Sequence, residues 1–243
     1  MTEESSLTSN EERAKYARAG FLLSLPLIVA SGIFVFLQRQ TIKGENGGIN
    51  ITDLHDYQEY GNYVLYGQIA VSLFTWISFI GWAHRAYKNL RALGMEMKYE
   101  SAFVIWAWFI PVINLIIPPV IIRELQKKTP LAATGIPGKK EEAGEKEQSS
   151  TVGLWWLFNL LAVASIIGGV YTAPSSGDSW DVMAHILLFS LVSHLCQLIA
   201  YLVVIDVLKG ISADEQALFE RVEKQLENGT FVLPDEEKKE PEN

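Results

Sequence analysis

The sequence predicts an all-α integral membrane helical bundle. It has four transmembrane helices, a proline-broken re-entrant or interfacial hairpin, and a short soluble C-terminal helix. Three observations lead there. Residues 19–38, 60–83, 152–173 and 182–205 are free of Asp, Glu, Lys and Arg and long enough to cross a hydrocarbon core roughly 30 Å thick. A fifth uncharged run, residues 101–122, is interrupted by Pro111, Pro118 and Pro119. Lys and Arg gather on one set of connecting segments.

The fifth run decides the topology. Proline has no N–H and orphans the carbonyl four residues earlier, here on Ala107, Asn114 and Leu115. The residue before proline is pushed out of helical space, so a helix is expected to stop near Ile117. A helix over 102–117 is about 24 Å long at about 1.5 Å per residue, short of the hydrocarbon thickness. Broken backbone survives at membrane depth only inside protein or beside a wet cavity. The run is therefore expected to enter, kink at Pro111 and return.

Composition excludes some classes. The formal charge of −8 argues against nucleic acid as a partner. A single cysteine, Cys196, excludes an internal disulfide and a cysteine-based zinc cluster. No metal site and no cofactor are expected.

Residues 1–18 form a polar N-terminal segment, with Arg13, Lys15 and Arg18 just before the first apolar run. That run lacks a small-residue cleavage site and reads as an uncleaved anchor bent at Pro26. Residues 39–59 read as a polar loop carrying Asp53, His55, Asp56 and Glu59. A weak divalent-cation site is one reading of that cluster; a solvated loop is preferred, because no ligand spacing there is diagnostic. The second run continues into Trp82, Arg85 and Asn89 on one helical face, and Gly94 is a candidate cap.

Two sets of residues carry a resemblance. The first is Trp82, Arg85-Ala86, Asn89-Leu90 and Leu93-Gly94. The second is Trp106, Trp108-Phe109, Pro111, Asn114-Leu115, Pro118 and Glu124-Leu125. Together they resemble an uncharacterised bacterial membrane family, the domain of unknown function 4328. The resemblance implies a multi-helix membrane protein from the first helix to the start of the C-terminal tail. It implies no activity, ligand or catalytic residue.

Residues 129–150 read as a disordered linker that divides the helices of 19–128 from those of 151–206. The fourth run opens on Trp155 and Trp156. It holds two small-residue pairs, Ala164 with Gly168 and Ser165 with Gly169. Packing inside the bundle is the preferred use of these pairs; an oligomer through the same face is the alternative. The last run carries Ser190, His194, Gln197 and Tyr201 on one polar stripe that should face the bundle. His194 reads as a hydrogen-bonded packing residue rather than a proton relay. Residues 207–243 read as an amphipathic helix followed by a disordered tail. The helix starts at Ser212 in a capping box with Glu215, and Leu218, Phe219, Val222 and Leu226 form its apolar stripe.

If the fifth run re-enters, all but Arg39 and Lys43 of the 20 Lys and Arg lie on one side. That predicts a multi-pass protein of the inner (cytoplasmic) membrane with both termini in the cytoplasm. No HExxH, Walker loop, nucleophile elbow or carboxylate dyad is present, so no enzyme is expected. The leading functional expectation is an interaction or accessory subunit, with a protein partner on the linker or the C-terminal helix. The alternative is a lipid- or small-solute-binding or transport protein. Its site would use Arg85, Asn89, Asn114, Asn159, Gln197 and Tyr201 beside the broken helix, with membrane lipid as the partner.

Overall fold

The computed structural model describes residues 7–44, 51–134, 150–175 and 178–228. The described elements are helical: α1 (Glu11–Lys43), α2 (Ile51–Ala92), α3 (Ser101–Trp106), α4 (Pro111–Asn114), α5 (Ile117–Thr134), α6 (Ser150–Tyr171) and α7 (Ser179–Glu227). Four of them, α1, α2, α6 and α7, are long and apolar enough to cross a membrane. The chain is an all-α membrane bundle.

Several boundaries differ from the sequence expectation. Residues 51–59 are not loop but the first turns of α2, whose helix capacity is not lost to scattered polar side chains. Residues 129–134 of the expected linker belong to α5, which continues to Thr134 with Pro130 inside it. The rest of that expected linker, 135–149, lies outside the described residues, as does the expected tail at 229–243. α7 is unbroken from Ser179 to Glu227, so Ser212 starts no helix. Its Oγ is buried without a hydrogen-bond partner among the described residues, and Glu215 turns to other partners instead of closing a capping box. The α2 terminus is as expected: Gly94 adopts φ 74°, and Met95 N–H donates to the Leu90 carbonyl at 3.1 Å.

The prolines resolve differently from a single kinked helix. Pro111 is the first residue of α4, and Pro118 and Pro119 lie in the first turn of α5. A first-turn N–H has no intrahelical acceptor, so proline removes nothing there. The chain thus starts two new helices at its prolines, and no helix ends at Ile117.

The helices contribute to two compact units. One comprises Met1–Arg18, Thr75–Val152 and Asp206–Asn243. Its core holds the fully buried Phe79, Trp82, Tyr87, Ile121, Ile122 and Leu125. Trp108 packs its ring 5.5 Å from Phe79, which stacks on Trp82 at 5.5 Å. α5 buries Pro118, Ile121, Ile122, Leu125 and Thr129, a helical stripe, and leaves Lys127 exposed.

The other unit comprises Ala19–Phe74 and Gly153–Ile205. Here α6 and α7 meet at Gly168 and Gly169. A Cβ built on Gly169 would lie 2.6 Å from the Phe189 Cβ, so only glycine admits that approach. Ile42, Leu54 and Ala184 form a further cluster with Trp180, Met183 and Leu187 packed on it.

Candidate functional site

The first unit is built around two carboxylates. Glu215 lies on α7 beyond the uncharged stretch 182–205 and is almost fully buried. Trp82 Nε1 donates to its Oε2 at 3.0 Å, and Asn10 Nδ2 approaches both carboxylate oxygens at 3.1 and 3.2 Å. Asn10 Nδ2 also donates to the Trp82 carbonyl at 3.1 Å. Burial pushes the Glu215 carboxyl up to about 7; the bonds from Asn10 and Trp82 offset part of that rise. The N-terminal segment is held a second time: Asn89 Nδ2 donates to the Thr8 carbonyl at 2.9 Å, and Thr8 N–H to Asn89 Oδ1 at 3.4 Å.

Glu124 is the second carboxylate, and it closes the base of the broken segment. Tyr87 Oη donates to Glu124 Oε2 at 2.8 Å and accepts the Tyr99 N–H at 2.7 Å. Glu124 Oε1 accepts the Lys98 N–H at 2.8 Å and the Lys128 ammonium at 2.7 Å. Lys128 also donates to the Glu96 carbonyl, and Arg91 Nη1 to the Tyr99 carbonyl at 3.0 Å. The chain before α3 is thus tied to α5. Burial first, then the neighbouring Glu124, raises the Tyr87 hydroxyl. Between the tied ends, Trp106, Phe109, Val112, Leu115 and Ile116 are exposed apolar side chains.

A cationic cluster lies near the Asn10–Trp82 contact. His84, Arg85 and Lys88 share a face of α2 at i, i+1 and i+4. Burial lowers the His84 imidazole, and Lys88, Arg13 and Arg85 lower it further. Burial and then Arg13 lower Arg85, whose Nε is buried with no acceptor among the described residues. An open cleft of about 330 Å³ is lined by Gln126, Thr151, Asp206, Lys209 and Asp214, among others. Burial raises Asp214.

The six ligand candidates divide between the units: Arg85, Asn89 and Asn114 in the first, Asn159, Gln197 and Tyr201 in the second. Asn89 is consumed by Thr8. Asn114 ends α4, its N–H on the Ile110 carbonyl at 2.7 Å. Asn159 Nδ2 donates back to the Trp155 carbonyl at 2.9 Å. Gln197 Nε2 reaches Tyr201 Oη at 3.5 Å, and the buried Tyr201 ring meets Phe21 edge-on at 5.0 Å. His194 is hydrogen-bonded as expected, Nε2 with Ser31 Oγ at 2.8 Å and Nδ1 with the Ser190 carbonyl at 2.7 Å. His55 and Asp56 stand exposed 3.8 Å apart, and no group of three potential metal ligands occurs among the described residues. Sequence reasoning missed Asn10 and gave Glu215 a different role, in a capping box; no local pattern links residues so far apart.

The Domain of unknown function (DUF4328) family model matches residues 49–213, which include α2 to α6 and much of α7. No curated protein and no solved structure matches the chain. With more than half of its length under that model, this membrane protein belongs to the DUF4328 family, a family of unknown function.

Proposed function

We propose that the chain is a non-enzymatic interaction or accessory subunit of the cytoplasmic membrane, with four spans and both termini in the cytoplasm. One observation carries the functional part: Glu215, Glu124 and His194 spend their hydrogen bonds on the fold itself. Glu215 serves Asn10 and Trp82, Glu124 serves Tyr87 and the Lys98 amide, and His194 serves Ser31. Acid–base chemistry needs a titratable group turned towards a substrate, and these are turned towards their neighbours.

Two contacts support the topology. Asn10 reaches both Trp82 and Glu215, so the start of α1, the end of α2 and the far part of α7 share a side. An even number of crossings separates them. Lys98 and Glu124, at the two ends of 101–122, are hydrogen-bonded, whereas a spanning segment separates its ends by about 30 Å. This contact supports a re-entrant segment, with its exposed apolar side chains in lipid. The Lys and Arg bias assigns the tied side to the cytoplasm.

The test uses a Cys196→Ser background carrying Glu100→Cys, Lys127→Cys or Ser175→Cys. A membrane-impermeant maleimide on intact spheroplasts is expected to label position 175 alone. Labelling at 127 but not at 100 overturns the four-span arrangement. For the functional part, a photo-crosslinking residue at the exposed Leu226 is expected to trap one stoichiometric protein in native membranes. Absence of any such adduct overturns the accessory-subunit reading. Lipid binding is the second reading, and the unpartnered Arg85 Nε favours it.

A further inference from the structure

Cations that gather in a folded chain without a counter-ion repel one another, and the fold retains them at a cost. Among the described residues, Arg13, Arg85 and Lys88 are such a group, with His84 beside them. The charges that act on His84 are the three cations, and the charge that acts on Arg85 is Arg13. The nearby acids Glu11 and Glu12 are engaged with Lys15 at 2.9 and 3.3 Å.

The placement has a simple origin. Asn10 holds the start of α1 on the Trp82 carbonyl. Arg13 lies one turn on from Asn10, and Arg85 one turn on from Trp82. Trp82 ends the uncharged run 60–83, so His84, Arg85 and Lys88 begin where that run leaves the hydrocarbon. Arg85 Nε adds a buried donor with no acceptor among the described residues, which costs more than one left in water.

We infer that Arg13, His84, Arg85 and Lys88 form a binding site for a phosphate-bearing anion, supplied by the headgroup of an anionic phospholipid. The phosphate oxygens accept from Arg85 and Lys88, and its charge offsets the repulsion between them and Arg13. A free phosphate offers the same oxygens. The lipid is assigned because the cluster borders a spanning stretch, and in that the inference rests on the orientation given above.

The experiment compares purified full-length protein in nanodiscs of phosphatidylcholine alone and of phosphatidylcholine mixed with phosphatidylglycerol. Native mass spectrometry then counts the lipids retained. The unaltered chain is expected to retain phosphatidylglycerol preferentially, and R13Q/K88Q to lose that preference by roughly fivefold for each charge removed. K209Q/K224Q, the same loss of two charges elsewhere, is expected to keep it. The His84 imidazole is expected to titrate higher in the mixed nanodiscs, a readout that needs no variant. An unchanged preference in R13Q/K88Q overturns the site, as does an equal loss in K209Q/K224Q. Inorganic phosphate that raises the His84 titration as much without the anionic lipid overturns the assignment to lipid. The maleimide pattern is read separately: if it fails while lipid is still retained through Arg13 and Lys88, the orientation falls and the anion site stands.

Discussion

The two compact units solve the same problem, joining helices, by different chemistry. The unit holding Gly169 and Phe189 relies on shape: glycine lets an aromatic ring approach the backbone, and His194 with Ser31 satisfies its own polar atoms. The unit holding Glu215 and Glu124 relies on one buried and one half-buried carboxylate, each gathering donors from distant parts of the chain. Lipid tails are as apolar as leucine, so apolar burial gives helices no preference for one another and close contact must supply it. Away from hydrocarbon, water competes for every donor, and a carboxylate repays its burial only with several bonds.

The sharpest break in that contrast is steric. Gly169→Leu is expected to cost about 3 kcal/mol, because its Cβ meets the root of Phe189 and not a flexible tip. Gly168→Ala is expected to cost under about 1 kcal/mol, since its Cβ would lie an ordinary 3.6 Å from the Phe189 ring. Thermal unfolding in detergent measures both, and equal shifts would remove the steric argument.

Next comes a pH effect confined to the other unit. The folded chain holds the Glu215 proton up to about pH 7, against 4.5 for the free carboxyl. The folded state therefore binds more protons across that interval, and stability falls as pH rises through it, by on the order of 3 kcal/mol. Above about pH 7 this contribution is level. Glu215→Gln is expected to flatten the slope in unfolding midpoints between those values, and an unaltered slope would assign it to another group.

Sequence and structure agree where one force dominates. The four spanning runs were legible because nothing else keeps charge out of some twenty residues. The paired glycines and the hydrogen-bonded His194 were legible from spacing on a single helix. The continuity of α7 was not: Ser212 with Glu215 read as a helix start, yet the chain stays helical through Gly210, and a helical glycine costs only about 1 kcal/mol. Burial of Ile211, Leu218 and Val222 outweighs that cost. The prolines misled because their effect depends on position in a helix, which spacing does not reveal. Asn10 gave no signal at all, since its partner is contributed by the last helix.

A smaller effect sharpens the hairpin. Tyr87→Phe keeps the ring and removes one bond to Glu124 and one to the Tyr99 amide. It is expected to cost about 1–2 kcal/mol and to speed amide exchange at Lys98 and Tyr99. Unchanged exchange would mean that Glu124 alone closes the base. The smallest effect is on an exposed pair: Lys15 raises its pKa beside Glu11 and Glu12, yet Lys15→Ala is expected to leave the unfolding midpoint where it is. A clear drop would mean that surface charge stabilises α1 after all.

The bond from Asn10 to Glu215 bridges 205 positions of the chain. During synthesis the first helix is in place long before its carboxylate partner exists. Until α7 is complete, Asn10 and the Trp82 indole have no acid to hold, and the N-terminal segment is docked only through Asn89 and the Trp82 carbonyl. The contact is thus a completion signal. A chain stalled or cut before residue 215 lacks it, and protease cleavage near Thr8 would distinguish unfinished molecules from finished ones in the same membrane.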